Sequence, residues 1–467
     1  MRVIRGPRLM DGAGILEAVR GLVGWSFACE CGRRHRIPTA AVEIGPGAIS
    51  CVPRLVQELF PSGPLLLVAD SNTYAAAGEA VRQTLEGHRR LEVFVFSDVE
   101  RHLSADEGAV AQVEAVLLNG FTCAIAVGAG TINDLVKLAA ARLSMPYGVV
   151  ATAASMNGYT SPIAAVYSGG LKRTVPARPP VWVVGDLEVL ASAPQPMSAA
   201  GLADLQSRSV ASADYLTASW LAGEYYCPAT AEPLRLAEGV CGEIAPGIGA
   251  GDPAAVSVLF GALILAGFAM TLAGSSAPAS GGEHLIAHLW SMRRRLEGEP
   301  ENLHGAQVGV ASLITAALWE LMAQLPRLDE AAIREILASR PSWEQERELI
   351  QASLGPLAPP AIEEYAAKRP DDHTLRARLE RLADTWDDFW RQVMKPFRPV
   401  AEVRGILRQA GAPTTLDELA CSPEEARLAI SAARYIRARY TVLDLAAELG
   451  VLEDLAPQAL ENSGVLG

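Results

Sequence analysis

The chain is expected to fold as an α/β domain built on a parallel sheet, followed by an all-α domain. Three observations carry this. Short apolar runs alternate with helical segments from about residue 60 to residue 152. After about residue 195 the periodicity is almost wholly helical. Three of the seven histidines fall in one short stretch of that helical half, at His284, His288 and His304. The expected domains are therefore 1–195, including an N-terminal lead-in, and 196–467.

Residues 1 to about 60 form the lead-in, with a short strand at 41–44, a Gly-Pro-Gly break and a helix from about Val52. Cys29, Cys31 and His35 in FACECGRRH raise the question of a zinc site. Only three ligands are offered there and the CxC spacing is tight, so the preferred reading is a hairpin turn about Gly32. Then PLLLVAD, 64–70, is continuously apolar, as a strand covered on both faces should be, and ends on Asp70. Helix 73–85, strand 91–96, helix 106–118, strand 122–127, helix 132–143 and strand 148–152 follow. Beyond residue 164 the runs AAVYSGG, LKRTVPA and VWVVGD look like short hairpin strands. GLADLQSRSVASADYLTASWLAGE, 201–224, is expected to open the helical half with Asp204 in its first turns.

Composition limits the function. Of 467 residues, 50% are hydrophobic and 20% charged, which is a globular balance with room for two domains. A net charge of -13 without a basic stripe argues against a nucleic-acid partner. Seven cysteines scattered over the chain do not form a disulfide framework, and a reducing cytoplasm is the expected setting. Residues 256–274 have the length of a membrane span. Acidic flanks at Asp252 and Glu283, and several interrupting small residues, favour a helix buried in a helical domain instead.

Two turns at the carboxyl ends of strands carry the chemistry of the first half, where ligands of such sheets bind. VGAGTINDLVK, 127–137, puts Gly128, Gly130 and Thr131 between a strand and a helix, where bare N–H groups can hold a pyrophosphate. ATAASMNGYTSP, 151–162, is a run of small and hydroxyl residues against which a flat ligand can lie. In the second half His284 and His288 are four apart and share a helix face, and His304 starts the next apolar helical run. Asp204, His284 and His304 make one carboxylate and two imidazoles from three helices, a ligand set suited to a catalytic divalent metal with open positions. Taken alone, Asp204 is also a helix-dipole residue.

In this order, VGAGTINDLVK, ATAASMNGYTS, AGLADLQSRSVASADY, SGGEHLIAHLW and LHGAQVGV resemble the sn-glycerol-1-phosphate dehydrogenases, within the iron-containing alcohol dehydrogenase, glycerol dehydrogenase and dehydroquinate synthase-like superfamily. CECGRRH, YCP and IRARYTVLDLAAELG resemble the bacterial branch. The resemblance implies a Rossmann-like α/β domain plus a helical domain, the dehydroquinate synthase-like fold. It implies a cytoplasmic homo-oligomer, a dimer, that reduces dihydroxyacetone phosphate to sn-glycerol 1-phosphate with NAD or NADP and one divalent metal, zinc before nickel. It places Asp70 near the adenosine ribose, Gly128, Ala129, Gly130, Thr131 and Ile132 on the pyrophosphate, and Thr152, Ser155 and Ser161 along the dinucleotide. Asp204, His284 and His304 become metal ligands, and His288, which spacing alone would make a fourth ligand, turns to the substrate.

Two positions depart from the family pattern. Asn157 stands where the family has Asp, at a position expected to touch the substrate hydroxyl; an amide keeps the hydrogen bond but carries no charge. Arg208, four residues after Asp204, either grips phosphate or faces solvent, with solvent preferred. The departure at Asn157 leaves two rivals, a polyol or alcohol dehydrogenase and a non-catalytic nucleotide-binding relative; a third, a sugar-phosphate cyclase of the dehydroquinate synthase type, is disfavoured because that group usually has Glu where Asp204 stands and a more Lys- and Arg-rich phosphate pocket.

Overall fold

The computed structural model describes residues 12–97 and 103–467, so the first eleven residues of the lead-in lie outside it. A helix, Gly12–Leu22, opens the described chain, and a small antiparallel hairpin follows, β1 (Ser26–Ala28) and β2 (Arg34–Arg36), turning at Gly32, whose φ of 83° favours glycine. Next come β3 (Ala41–Gly45), β4 (Leu65–Asp70), β5 (Leu91–Phe96), β6 (Cys123–Gly128) and β7 (Tyr147–Ala151). A second hairpin, β8 (Ile163–Ser168) with β9 (Leu171–Pro176), precedes β10 (Trp182–Asp186).

Six of these strands form one parallel sheet in the order β3-β10-β7-β6-β4-β5. The expected hairpin character of residues 163–176 is present, but VWVVGD is not part of it. As β10 it pairs in parallel with β3, about 140 residues upstream in the chain, and with β7. The alternation of the apolar strands divides two cores. Leu65, Leu67, Ala69, Ile125, Val127, Val150, Trp182 and Val184 face one side, under the Val52–Leu59 and Glu79–Leu85 helices. Leu66, Val68, Ala124, Ala126, Val149 and Val183 face the other. Each such leucine contributes about 1.5–3 kcal/mol by leaving water. Gly148 is glycine because a Cβ there would lie 2.1 Å from the Trp182 ring.

The order in which strands are added reverses between β4 and β6: β5 is added outside β4, after which β6, β7 and β10 build the other way. That reversal opens a crevice at the carboxyl ends of β4 and β6.

From Gln195 onward the chain is helical. Two helices, Pro253–Ala273 and His304–Met322, are long and apolar enough to cross a membrane. Their most apolar windows are 83% and 89% buried within the protein, so they are core helices, as expected for the first. Asp252 caps the Pro253–Ala273 helix by accepting from the Ala254 N–H, and Gly274 closes it at φ 73°. The segment 201–224 is not one helix. Gln195–Gln206 and Arg208–Ala222 meet at Ser207, whose hydroxyl donates to the Asp204 carbonyl at 2.7 Å.

Candidate metal centre and dinucleotide cleft

Because the break falls at Ser207, Asp204 lies in the last turn of its helix rather than in its first turns. A carboxylate is disfavoured there by the helix dipole, so dipole complementation does not account for it. The side chain is buried and held from two sides by Asn157. Its backbone N–H donates to Asp204 Oδ2 at 2.8 Å and its Nδ2 to Oδ1 at 3.1 Å. Asn157, expected at the substrate hydroxyl, thus has its amide engaged with the carboxylate.

The Gly282–Glu297 helix carries His284 and His288 inward, and His304 begins the next helix, His304–Met322. Ligand atoms of Asp204, His284 and His304 lie within 4.8 Å of one another. His288 is outside that set, although its ring is 5.4 Å from the His304 ring and 6.2 Å from that of His284. Burial pushes His288 well down, reinforced by the charges of Lys172, His304, His284 and Arg437. It is a neutral imidazole.

His284 is oriented by a residue the sequence reading passed over. Its Nδ1 is 2.7 Å from Glu283 Oε1, which also accepts from the Gly281 N–H, and its Nε2 lies 3.3 Å from Asp204 Oδ1. An imidazole whose Nδ1–H donates to Glu283 turns a lone pair from Nε2 towards the Asp204 oxygen, an arrangement that calls for a cation or a proton between them. Burial alone would lower its pKa, but the bonds to Asp204 and Glu283 outweigh it and push it up to about 9. His304 goes the other way, down to about 3 through burial, and its Nδ1 is buried without a hydrogen-bond partner. Two acidic side chains around one imidazole, and an orphaned ring nitrogen beside them, fit a divalent cation.

Below Glu283, Asp214 accepts from the Gly282 N–H at 2.6 Å and the Val442 N–H at 2.7 Å. Burial, then the neighbouring Glu283, push its carboxyl well above the usual range. Gly281 must be glycine here, since a Cβ would meet Asp214 Oδ2 at 2.3 Å. An acidic residue next to a candidate ligand was the available signal for Glu283; Asp214 carried none.

At the crevice, Asp70 ends β4 and caps the next turn, its Oδ1 accepting from the Thr73 N–H at 2.8 Å. Gly128 ends β6, and Ala129 precedes the Gly130–Arg142 helix, whose first turn no side chain caps. Its N–H groups are free for an anion. A Cβ on Gly128 would meet Ile132 at 2.6 Å, and one on Gly130 would meet Met156 at 3.3 Å, so the turn, with Thr131, closes tightly. Thr152, just after β7, is buried and bonded through its N–H to the Gly128 carbonyl, while Ser155 is half-buried beyond it. Ser161 is fully buried, its hydroxyl donating to the Gly158 and Ile163 carbonyls. Lys137, also unforeseen, donates to that hydroxyl and to the same two carbonyls, tying the 157–163 loop to the helix that follows β6.

Arg208 corrects an expectation. It does not face solvent: it is buried with its Nη1 3.4 Å from Glu238, a carboxylate that also pairs with Arg398.

Comparison with known proteins places this arrangement. A family model described as iron-containing alcohol dehydrogenase matches residues 43–194. The glycerol-1-phosphate dehydrogenase (NAD(P)+) of Geobacillus thermodenitrificans is 33% identical over 341 residues, 68% of this chain and 84% of the relative. That of Bacillus licheniformis is 29% identical over 441 residues, 94% and 96% of the two chains. Among solved structures, a probable glycerol dehydrogenase from Sinorhizobium meliloti aligns with a TM-score of 0.59 at 16% identity, over 90% of this chain and 98% of that one. An archaeal halo-thermophilic Red Sea brine pool alcohol dehydrogenase aligns with a TM-score of 0.57 at 15% identity, over 92% and 99%. Those two likenesses concern the fold, which is the dehydroquinate synthase-like one expected. By the extent and identity of the first match, the chain belongs to the glycerol-1-phosphate dehydrogenase family.

Proposed function

We propose that the chain reduces dihydroxyacetone phosphate to sn-glycerol 1-phosphate, using NADH or NADPH and a divalent metal, with zinc before nickel. The carrying observation is the convergence of Asp204, His284 and His304 in a chain of this family. The division at residue 195 then separates a cofactor-binding half from a metal-binding half.

Asp204, His284 and His304 would hold the metal, which when bound supplies Lewis-acid polarisation of the ketone; the reduced nicotinamide supplies the hydride. The chain's own groups set the stage. Asn157 holds both Asp204 oxygens in place, and Glu283 fixes the tautomer and tilt of His284. The uncapped helix start at Gly128, Ala129, Gly130, Thr131 and Ile132 suits the pyrophosphate, with Thr152 and Ser155 beside it and Ser161 shaping the loop. Asp70, at the end of β4, suits ribose hydroxyls and disfavours a 2'-phosphate, which supports NAD over NADP. His288, neutral and buried, can pass a proton from water towards the substrate oxygen. Lys172 and Arg437, whose charges act on His288, are the candidate cations for the substrate phosphate.

A substrate panel tests this. Purified enzyme with metal restored should oxidise reduced nicotinamide at least tenfold faster with dihydroxyacetone phosphate than with dihydroxyacetone or other unphosphorylated ketones. Equal slow rates with and without the phosphorylated ketone would defeat the proposal. Asn157→Asp should not improve turnover, since a second carboxyl would replace an amide donor to Asp204. A large gain on dihydroxyacetone phosphate in that variant alone would mean that the native substrate is another ketone.

A further inference from the structure

The β1-β2 hairpin brings together more than its sequence offers. Cys29 begins its turn, Cys31 lies within it and His35 lies on β2. A fourth side chain joins them from 192 residues beyond His35: Cys227, at the start of the Pro228–Gly239 helix. One ligand atom from each of Cys29, Cys31, His35 and Cys227 lies within 4.8 Å of all the others. Three of the separations are shorter still. Cys29 Sγ is 3.5 Å from Cys227 Sγ, and His35 Nε2 is 3.4 Å from Cys31 Sγ and 3.7 Å from Cys227 Sγ. The edge of a tetrahedron of sulfurs about 2.3 Å from a central zinc is about 3.7 Å, whereas a disulfide needs about 2.05 Å. These are spacings of co-ligands, and all four sulfur and nitrogen atoms point at one space.

The surroundings prepare the same chemistry. His35 Nδ1 lies 2.8 Å from the Leu272 carbonyl, which can only accept, so Nδ1 carries the proton and Nε2 turns its lone pair to the sulfurs. Cys227 occupies the N-cap of its helix; burial pushes its thiol up to about 11, and the Ala229 and Thr230 N–H groups only partly offset this, so it is a cation at this position that would favour the thiolate. Tyr225 Oη is 3.4 Å from Cys31 Sγ and can donate to it. Nothing in the proposed reduction uses these residues, and the set leaves no ligand position for a substrate.

We propose that Cys29, Cys31, His35 and Cys227 form a closed, structural zinc site, separate from the Asp204, His284 and His304 centre. The ion clamps the N-terminal hairpin to the helical half at two points: Cys227 supplies a ligand, and the carboxyl end of the Pro253–Ala273 helix receives the His35 N–H through Leu272. Because all four positions are filled by protein, the ion takes no part in turnover.

Metal counting on the full-length, untagged protein decides this. Wild type grown with zinc should lose one zinc per chain on Cys227→Ser and show a midpoint of thermal unfolding lowered by several degrees. Asp204→Asn should keep that zinc. Cobalt put into Asp204→Asn in place of zinc should give the intense near-ultraviolet thiolate-to-cobalt band, which oxygen and nitrogen ligands do not produce. The cobalt measurement decides the matter alone if Cys227→Ser is insoluble. Zinc content unchanged by Cys227→Ser, absence of zinc and of the thiolate band from Asp204→Asn, iron in place of zinc, or a Cys29–Cys227 disulfide in the native protein would each overturn the proposal.

Discussion

Two clusters of ligating side chains sit among the described residues, and they differ in nearly every physical respect. The Asp204, His284 and His304 set has three oxygen and nitrogen donors and a neighbouring His288 that stays outside it and feels the charges of Lys172 and Arg437. The Cys29, Cys31, His35 and Cys227 set has four donors, three of them sulfur, and no group left over. Three hard or borderline ligands leave room for a substrate; four donors, three of them soft, complete a coordination shell. The contrast teaches that donor number and chemistry, more than burial or proximity, separate a site that can work from one that holds a fold together.

The sharpest way to break the comparison is Asp204→Asn. Removing the one carboxylate ligand should cost about three orders of magnitude or more in kcat/KM, since several kcal/mol of charge stabilisation go with the metal. The check is steady-state kinetics beside metal content. If activity survives, the acidic triad is not the working site, and the two clusters have been assigned the wrong way round.

Glu283→Gln should have a smaller effect. Its acceptor oxygen holds His284 Nδ1 at 2.7 Å, and an amide can still accept there but no longer brings negative charge. Losses at such supporting positions are about 10–100-fold in metal affinity. Competition with a chelator measures it. Zinc retained by the cysteine set should be untouched, because Glu283 has no contact with it among the described hydrogen bonds.

Much of this was legible in the sequence, for reasons that also explain the rest. The runs 64–70 and 122–127 announce buried parallel strands because both faces are apolar, and they appear as β4 and β6. VWVVGD carries the same signal, yet its position after two hairpin strands disguised it; pairing with β3 is non-local and leaves no trace in spacing. His284 and His304 were visible as histidines in a helical register, and Asp204 as the acid nearest in kind. What could not be read was the backbone break at Ser207, which reverses the dipole argument for Asp204. Asn157 stood out as a departure from the family pattern, but its engagement with Asp204 depends on how the 151–162 loop folds back. Cys227 is the clearest case: a fourth ligand 198 residues from Cys29 has no spacing rule to announce it.

The mildest perturbation, pH alone, sharpens the contrast within the triad itself. Without metal, His284 has a pKa raised to about 9, so at neutral pH it is protonated, with Nε2–H towards Asp204. A metal ion must replace that proton. His304, lowered to about 3, is already neutral and releases none. Metal uptake by the triad at pH 7 should therefore release close to one proton per ion, all from His284. Apparent affinity should rise about tenfold for each pH unit up to about 9 and level off above it, because only the deprotonated imidazole binds. Below pH 9 the cost of displacing the proton grows; above it there is none left to displace. Calorimetric titration in buffers of different ionisation enthalpy, on Cys227→Ser so that only the triad is filled, counts those protons. Release of no proton, or an affinity flat between pH 6 and 8, would mean that the hydrogen bonds to Glu283 and Asp204 do not hold His284 charged; release of two would mean that a second group is protonated beside it.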